Sequence, residues 1–388
     1  MDPIDTEPIA ADRIAAEPIA TAAAPLPVPA GLGWDSGWAA EFAPFAGERR
    51  RPARVVAAHR GAWIVALEDG DRDAVLAGRL RHEAARPADL PAVGDWVAAG
   101  ANAAVVGPAV ISAVLPRRTA FRRAADDGAA GSEQVLASNV DVALVVTGLD
   151  GDFNLRRLER YLAVAWSGGA TPVVVLNKAD AAPDPDGARL AAEAVAPGVD
   201  VRLISARQGL GVPELARDHL TPGRTAVVLG SSGAGKSTLL NALLGQERAR
   251  TAPVREADAR GRHTTTHREL HRLPGGGLLI DTPGIRALGV AGADDGLAPA
   301  FADVADLAAG CRFADCRHDG EPGCEVWAAV AEGRLSADRL AAHRKLEREA
   351  AHVARQSDRL LREADRRKWK AISTSAKDHM ARKYGSDQ

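Results

Sequence analysis

One glycine-rich segment, Gly230 to Ser237, constrains the fold of this chain more than any other feature. Its sequence, GSSGAGKS, fits the G-x-x-x-x-G-K-[ST] pattern and lies between the apolar run AVVL and the helix-like run TLLNALL. A strand, a glycine-rich turn and a helix N-terminus in this order are typical of a phosphate-binding loop. Lys236 is expected to neutralise β- and γ-phosphate oxygens, and the Ser237 hydroxyl to ligate Mg²⁺. The predicted phosphate-binding residues are Gly230, Ser231, Ser232, Gly233, Ala234, Gly235, Lys236, Ser237 and Thr238.

The sequence on both sides of this loop predicts an α/β domain. Apolar runs at 140–148, 171–180, 200–206, 224–230 and 277–284 alternate with helical patterns. Near-continuous apolar strands of this kind are typical of a parallel sheet buried on both faces. The last run ends in Asp281-Thr282-Pro283-Gly284. We expect Asp281 to point toward the magnesium ion and Gly284 to let the next loop sense the γ-phosphate.

The four residues Asn177-Lys178-Ala179-Asp180 predict which base is bound. A carboxylate at Asp180 can accept both the N1–H and the N2 amine of guanine, whereas adenine has an acceptor at N1. Asn177 is expected to meet the purine N7 and the ribose side, and Lys178 to lie along the base plane. Ser205-Ala206 follows 25 residues after Asp180, where a backbone amide can bind guanine O6. Together these elements predict a GTPase.

The order of the motifs is unusual. In most GTPases the phosphate-binding loop comes first, followed by DxxG, NKxD and SA, but here NKAD and SA precede the loop. We therefore expect a circularly permuted domain, which is tolerable because the termini of a domain are exposed and often close together. The loop after Gly284 then leads almost directly into the next domain. A nucleotide-driven shift at 281–284 is expected to reach that domain.

The segment at 261–267, GRHTTTH, lies where a first switch loop belongs. A threonine hydroxyl is needed there to complete Mg²⁺ coordination when GTP is bound, and Thr264 and Thr265 are the candidates. Ile285 stands where Ras-like proteins keep a water-orienting glutamine, so hydrolysis without a partner should be slow. His263 is a candidate to orient the attacking water. The alternative is that His263 only caps a loop.

All three cysteines fall within fourteen positions, which predicts a metal site. The pattern is Cys-x4-Cys-x-His-x5-Cys. Three thiolates and one imidazole fill a tetrahedral zinc shell with no open position, so the site should be structural and not catalytic. A disulfide framework is excluded by so few cysteines in a chain of 388 residues. The predicted zinc ligands are Cys311, Cys316, His318 and Cys324.

The regions before and after the predicted α/β domain indicate further domains. The length of 388 residues also favours more than one domain. Short β-type runs lie between Arg54 and Arg123, at 55–56, 63–67, 95–97, 104–106 and 110–111. They suit a barrel of about five strands, of the OB type that commonly binds oligonucleotides, or any small barrel or sandwich that serves as a spacer. Leu335 to Lys370 is helix-like and rich in arginine. The predicted segments are an extension at 1–48, an OB-type barrel at 49–125, a permuted GTPase domain at 126–294 and a zinc-binding, mostly helical domain with a basic tail at 295–388.

Charge is distributed unevenly. Residues 1–48 carry eight acids and one base, are rich in alanine and proline, and are expected to be mostly disordered. Residues 49–125 carry thirteen arginines and seven acids, and residues 338–388 carry fourteen lysines and arginines and eight acids. Two basic segments favour a nucleic-acid partner, although each alone also fits a solvated surface. The acidic N-terminus and the lack of an 18-residue uncharged apolar stretch predict a soluble cytoplasmic protein.

Several motifs together resemble the RsgA (YjeQ) family of bacterial small-subunit-dependent GTPases. They are VGDWV, QVLASNVD, NKAD, GSSGAGKST, GRHTTT, DTPG and CRFADCRHDGEPGC, within about residues 50–350. The resemblance implies a protein that binds the small ribosomal subunit, assists its late maturation, and hydrolyses GTP slowly alone and faster on the subunit. It favours Thr265 as the switch-loop magnesium ligand and implicates His263 in hydrolysis. The predicted catalytic residues are His263, Thr265 and Lys236, and the predicted magnesium ligands are Ser237, Thr265 and Asp281.

The mechanism expected from these features is a nucleotide-controlled grip on ribosomal RNA. GTP and Mg²⁺ order the 261–267 and 281–289 loops, and hydrolysis relaxes them and releases a monomeric protein. Two alternatives remain. One is a permuted GTPase that acts on the large subunit, and the other is an RNA chaperone whose hydrolysis is incidental.

Overall fold

The computed structural model describes residues 27–46, 50–59, 61–100, 107–124, 133–151, 153–245, 268–281, 294–351 and 355. The strands are β1 (Arg50–His59), β2 (Ala62–Leu67), β3 (Gly70–Leu76), β4 (Trp96–Gly100), β5 (Ala109–Val114), β6 (Ala120–Ala124), β7 (Glu133–Ser138), β8 (Val142–Gly148), β9 (Thr171–Asn177), β10 (Asp200–Leu203), β11 (Thr225–Leu229), β12 (Arg268–Arg272) and β13 (Leu278–Asp281). The helices are α1 (Ser36–Phe42), α2 (Gly78–Glu83), α3 (Leu155–Ser167), α4 (Pro185–Val195), α5 (Val212–His219), α6 (Lys236–Leu244), α7 (Asp294–Ala300), α8 (Ala302–Ala308), α9 (Glu325–Ala331) and α10 (337–351). Short 3-10 turns cover Ala43–Phe45, Pro87–Asp89 and Ala179–Ala181.

The first five strands form the small barrel that the sequence predicts. Their order is β1-β2-β3-β5-β4, and β4 pairs with β1 to close the barrel. Alternate side chains fill the interior because strand side chains point to opposite faces in turn. They belong to Ala53, Val55, Trp63, Val65, Leu67, Ala74, Leu76, Val97, Ala99, Ala109 and Ile111. The strand β3 was not predicted, because its polar start, GDRD, resembles a turn. The predicted run at 104–106 lies outside the described residues.

The N-terminal segment differs from the predicted disordered extension in residues 27–46. Asp35 caps α1, since its Oδ1 accepts the Trp38 N–H at 2.8 Å. Trp38 and Phe42 are buried, and the Trp34 ring meets Trp96 of β4 edge to face at 4.8 Å. Large aromatic side chains thus order this part of an otherwise alanine- and proline-rich segment. The prediction of disorder is wrong for these residues, and residues 1–26 lie outside the described chain.

The α/β sheet has the order β10-β9-β8-β11-β13-β12. All neighbours pair in parallel except β12, which is antiparallel to β13. Buried residues of α3 and α4 cover one face of the sheet, and those of α5 and α6 cover the other. Helices thus cover both faces of the sheet, as near-continuous apolar strands require because their side chains are buried on both sides. The predicted strands correspond to β8, β9, β10, β11 and β13, whereas the polar β12, RELHR, was not predicted.

Two contacts join the barrel to this sheet. β12 pairs with β1 through Ala57↔Glu269 and Ala58↔Arg268, so barrel and sheet form one eleven-stranded system. The Arg54 guanidinium is buried at the same junction, where it donates to Thr225 Oγ1 of β11 at 2.8 Å and to Asn139 O at 3.2 Å. Burial lowers the pKa of Arg54 to about 10. Arg54 therefore links three segments that are distant in sequence.

Between the barrel and β8 lies an antiparallel ribbon, β6 with β7. The predicted domain boundary at 125/126 falls between its two strands. At the other end of the chain, α7 packs on α3, where a Cβ added to Gly296 would lie only 2.1 Å from Ala163 O. Glycine is required at this approach because no side chain fits. Among the described residues, no helix is long and apolar enough to cross a membrane.

Candidate functional site

The predicted phosphate-binding loop connects β11 to α6. Lys236 begins α6, is buried, and its ammonium donates to Ser231 O across the loop. A cavity beside the loop is lined by Lys236, Ser237 and Asp281, the last residue of β13. The structure thus brings together a cation, a hydroxyl and a carboxylate, which is the donor set that a magnesium-bound phosphate needs.

Asn177 ends β9, is buried, and joins two predicted nucleotide-binding loops. Its Nδ2 donates to Ala234 O at 2.9 Å, and its Oδ1 accepts the Ala206 N–H at 2.9 Å. A Cβ added to Gly235 would lie 2.1 Å from Asn177 Nδ2, so glycine at this position leaves room for the amide. The amide therefore holds the phosphate-binding loop against the 205–208 loop. This role differs from the purine and ribose contact expected from sequence. The N–H of Ala206, in the segment where a backbone amide is expected to bind guanine O6, is donated to Asn177.

Lys178 and Asp180 both have polar partners from other loops. Lys178 has a left-handed backbone, with φ of 65°, and its Nζ donates to Gly233 O at 2.7 Å and pairs with the Asp150 carboxylate. Gln208 Nε2 donates to Asp180 Oδ2 at 3.2 Å. Asp180 remains exposed. The carboxylate assigned to guanine is thus accessible at the same sheet edge as the phosphate-binding loop.

Several predicted site residues lie outside the described residues. They are His263, Thr264, Thr265, Gly284 and Ile285. The others fall into two groups at the carboxyl ends of parallel strands. Asn177, Lys178, Asp180, Ser205 and Ala206 form the base-side group, and Gly230 to Thr238 with Asp281 form the phosphate-side group. Both groups therefore lie at the carboxyl-end edge of the sheet, where open α/β sheets bind ligands.

The cysteines and the histidine form a second cluster, in which all four ligand atoms lie within 4.8 Å of one another. His318 Nδ1 is 3.6 Å from the Sγ atoms of Cys311 and Cys324, and these two Sγ atoms are 4.0 Å apart. A tetrahedral zinc ion with bonds of about 2.3 Å to sulfur and about 2.0 Å to nitrogen separates its ligands by roughly 3.5–3.8 Å. The donor set therefore fits a four-coordinate metal ion.

The thiols of this cluster are not equivalent. Burial acts against ionisation of Cys311, but the N–H groups of Val326 and Glu325 lower the pKa of its thiol. Burial, together with the neighbouring thiols Cys324 and Cys311, raises the pKa of Cys316 to about 12. Three crowded thiols cannot all ionise without a cation between them, so this donor set favours a divalent metal.

Residues of the 311–324 loop and of α10 hold the four candidate ligands in place. Arg344 of α10 donates to His318 O and pairs with Asp319 at 3.0 Å. The Glu321 carboxylate accepts the N–H groups of Arg317 at 3.0 Å and Asp319 at 2.6 Å. These bonds fix His318, whose φ of 60° is unusual for a non-glycine residue. Outer-shell partners of this kind orient the ligands of a metal site.

Comparison with known proteins decides the family. A family model described as RsgA GTPase matches residues 114–291. The small ribosomal subunit biogenesis GTPase RsgA of Opitutus terrae is 52% identical over 351 residues, which cover 88% of this chain and 95% of that protein. The chain belongs to the RsgA GTPase family. The protein of the same name from Streptomyces coelicolor is 45% identical over 360 residues and covers 91% of this chain and 95% of its own.

Solved structures agree with this membership of the RsgA family. YjeQ from Thermotoga maritima has a TM-score of 0.59 and 27% identity, covering 77% of this chain and 98% of its own. YloQ, described as a circularly permuted GTPase, has a TM-score of 0.56 and 22% identity, covering 79% of this chain and 96% of its own. The predicted circular permutation is therefore confirmed.

Many arginines of the basic segment at 49–125 form ion pairs in this RsgA-family chain. Of the eleven arginines that the structure describes in this segment, seven have a carboxylate within 4.0 Å. They are Arg51, Arg72, Arg79, Arg86, Arg117, Arg118 and Arg122. Paired arginines offer less positive potential to a nucleic acid than the sequence count suggests. Sequence reasoning also missed Asp150, Gln208 and Arg344, because their partners are distant in sequence. It missed Glu321 as well, whose partners Arg317 and Asp319 are close in sequence, because Glu321 is not one of the predicted zinc ligands.

Proposed function

We propose that this chain is a GTPase that acts in the biogenesis of the small ribosomal subunit. The observation that carries the proposal is the meeting of NKAD, SA, the phosphate-binding loop and Asp281 at one edge of the sheet. The relatives support the cellular role, because they carry the name of a small ribosomal subunit biogenesis GTPase. Their alignments cover 88–92% of this chain and 95–99% of their own length.

In the proposed complex the base and the phosphates bind to separate loops. Asp180 accepts the N1–H and N2 amine of guanine, and Lys178 lies along the base. The backbone N–H groups of residues 230–235 surround the phosphates at the N-terminus of α6, where the helix dipole favours negative charge. Lys236 neutralises the β- and γ-phosphates. Asn177 holds the two loops at a fixed separation through Ala234 and Ala206.

Hydrolysis in this proposal depends on the two loops that follow the phosphate-binding helix. Ser237, Asp281 and Thr265 would hold Mg²⁺, which would offset the charge that develops on the phosphates. His263 orients the attacking water, because Ile285 has no hydrogen-bonding side chain for that task. In this proposal GTP and Mg²⁺ order the 261–267 and 281–289 loops, and binding of the small subunit accelerates the reaction. Release from the subunit follows hydrolysis.

We further propose that the Cys311, Cys316, His318 and Cys324 cluster holds one structural zinc ion. Zinc supplies no reaction step here, because the four protein donors fill a tetrahedral shell. Its effect is to fix the loop of residues 311–324 against α9 and α10, through Arg344 and through the Trp327 N–H, which donates to Cys324 Sγ at 3.3 Å.

The remaining proposals concern the domains of the chain, its RNA contacts, its oligomeric state and its location in the cell. The barrel, with its parallel β3–β5 pair, is of the OB type and, with the C-terminal region, contacts ribosomal RNA. The barrel lies within residues 49–125, the permuted GTPase domain covers about 126–294, and the zinc-binding, mostly helical domain covers 295–388. We propose that the protein acts as a monomer in the cytoplasm.

Steady-state GTP hydrolysis with and without purified small subunits tests the proposal. We expect stimulation by small subunits and none by large subunits, and no comparable hydrolysis of ATP. Binding to small subunits should weaken as salt is raised from 50 to 200 mM, since phosphate contacts release counterions (roughly one per contact). Intact subunit binding without stimulation would instead make the chain a nucleotide-controlled binding protein.

A further inference from the structure

The loop after β8 carries a carboxylate, Asp150, beside the base-side loop. Asp150 pairs with Lys178, and the Lys178 ammonium also donates to Gly233 O of the phosphate-binding loop at 2.7 Å. The side chains of Lys178 and Asp150 are 26% and 40% exposed. One lysine thus connects three loops, which follow β8, β9 and β11.

The backbone holds Asp150 in position for this contact. β8 and β9 are in parallel register to their ends, with Gly148 opposite Asn177. The Leu149 N–H then donates to Asn177 O at 2.9 Å, so the residue before Asp150 is hydrogen-bonded to the residue before Lys178. The loop therefore presents the carboxylate to the ammonium through two rigid strands.

We propose that Asp150 is a positioning residue for the guanine site and acts through Lys178. The inference rests on the proposed function, because it assigns Lys178 to the base. A lysine side chain has large rotamer freedom, which binding would otherwise have to remove. Asp150 and Gly233 O hold the ammonium so that the methylene groups of Lys178 already line the base site. Binding of guanine then loses less conformational entropy.

This role predicts which measurements change. Lys178 is assigned to the base plane, which GDP and GTP share, so Asp150→Ala should weaken both nucleotides equally, by roughly three- to tenfold in Kd. The loss should fall on Kd and KM and leave kcat at saturating GTP nearly unchanged. Asp150→Asn keeps a hydrogen-bonding oxygen without the charge and should lose less affinity than Asp150→Ala.

The test is a double-mutant cycle on the full chain with fluorescent GDP and GTP analogues. If Asp150 acts through Lys178, the Asp150→Ala/Lys178→Ala double variant should bind no more weakly than Lys178→Ala alone. Asp306→Ala, which removes an exposed carboxylate from α8, is the matched control and should leave Kd unchanged. Thermal unfolding of each variant separates a local effect from loss of fold.

Two results would overturn the inference. One is an Asp150→Ala variant with the wild-type Kd, and the other is a double variant whose loss is the sum of the two single losses. If the wild-type chain itself binds no guanine nucleotide, the proposed function fails first, and the role of Asp150 fails with it.

Discussion

Replacing Arg339 with methionine should weaken the contact between the α/β sheet and the C-terminal helices. The Arg339 guanidinium, on α10, bonds to Glu159 of α3 at 2.7 Å and to Asp303 of α8 at 2.9 Å. It also donates to the carbonyl oxygens of Val195 at 3.1 Å and Ala300 at 2.7 Å. The side chains of Arg339 and Glu159 are only 5% and 4% exposed. The Arg339→Met change would therefore leave a carboxylate buried without its cation.

The expected cost follows from that buried charge. Removing one partner of a buried ion pair costs about 3–5 kcal/mol, because the remaining charge stays desolvated. Burial raises the pKa of Glu159, and Arg339 opposes that shift, so the pKa should rise further in the variant. A carboxyl group whose folded-state pKa is raised stabilises the fold below its unfolded pKa, and this contribution is lost as pH rises through the folded pKa. The variant should be most destabilised at neutral pH and less so near pH 4.

Urea unfolding of the full chain at both pH values measures this effect. Arg156→Met is the control, because it removes an ion pair with Asp338 whose side chains are 66% and 88% exposed. An exposed pair is worth about 0.2–1 kcal/mol. Adding Glu159→Gln to Arg339→Met should recover part of the loss. Equal losses in the Arg339 and Arg156 variants would refute the reasoning.

Three other predictions concern the metal cluster, the switch loop and the N-terminal segment. The purified chain should contain one zinc per molecule by mass spectrometry, and Cys316→Ser should lose it; a metal-free wild type would contradict the assignment. His263→Ala should lower kcat without changing the Kd for GTP, whereas the control His271→Ala should change neither. Arg118 lowers the pKa of Asp35 to about 2, so the stability lost in Asp35→Asn should be constant above pH 4 and vanish as pH falls through about 2. A loss of stability that stays the same at pH 7 and pH 2 in urea unfolding would contradict this.

Local sequence patterns predicted much of the architecture because burial dictates them. The apolar strands β8, β9 and β11 are buried on both faces, so their composition alone identifies a parallel sheet. The polar strand β12 lies between β13 and the barrel, and its pairing partners are set by tertiary structure, so its sequence carries no such pattern. The prediction of disorder for the N-terminal segment was wrong at residues 27–46 because it rested on composition and took no account of tertiary contacts. The few aromatic residues of this segment bind to Trp96 and Arg118, which composition alone does not reveal.

The candidate site shows the same division. Motif residues such as Lys236, Asp180 and Cys316 could be named as candidates from sequence, because the chemistry proposed for them requires particular residue types at particular spacings. The residues that orient them were not, since Asp150 and Gln208 belong to no motif and reach their partners only through the fold. A carboxylate directly after a predicted parallel strand is the one signal that points to Asp150, because the carboxyl ends of such strands share one edge.

Circular permutation leaves the candidate site intact because a parallel sheet aligns strand ends regardless of connection order. β8, β9, β11 and β13 lie side by side, so Asp150, Asn177, Gly230 and Asp281 come together at one edge although the chain reaches them in an unusual sequence. The permutation changes which elements of the chain precede and follow the loops at that edge. The barrel precedes β8, α7 follows β13, and the segment at 261–267 leads straight into β12, which is paired with β1 of the barrel. Each loop assigned to the γ-phosphate therefore continues, within a few residues, into an element that contacts another part of the molecule.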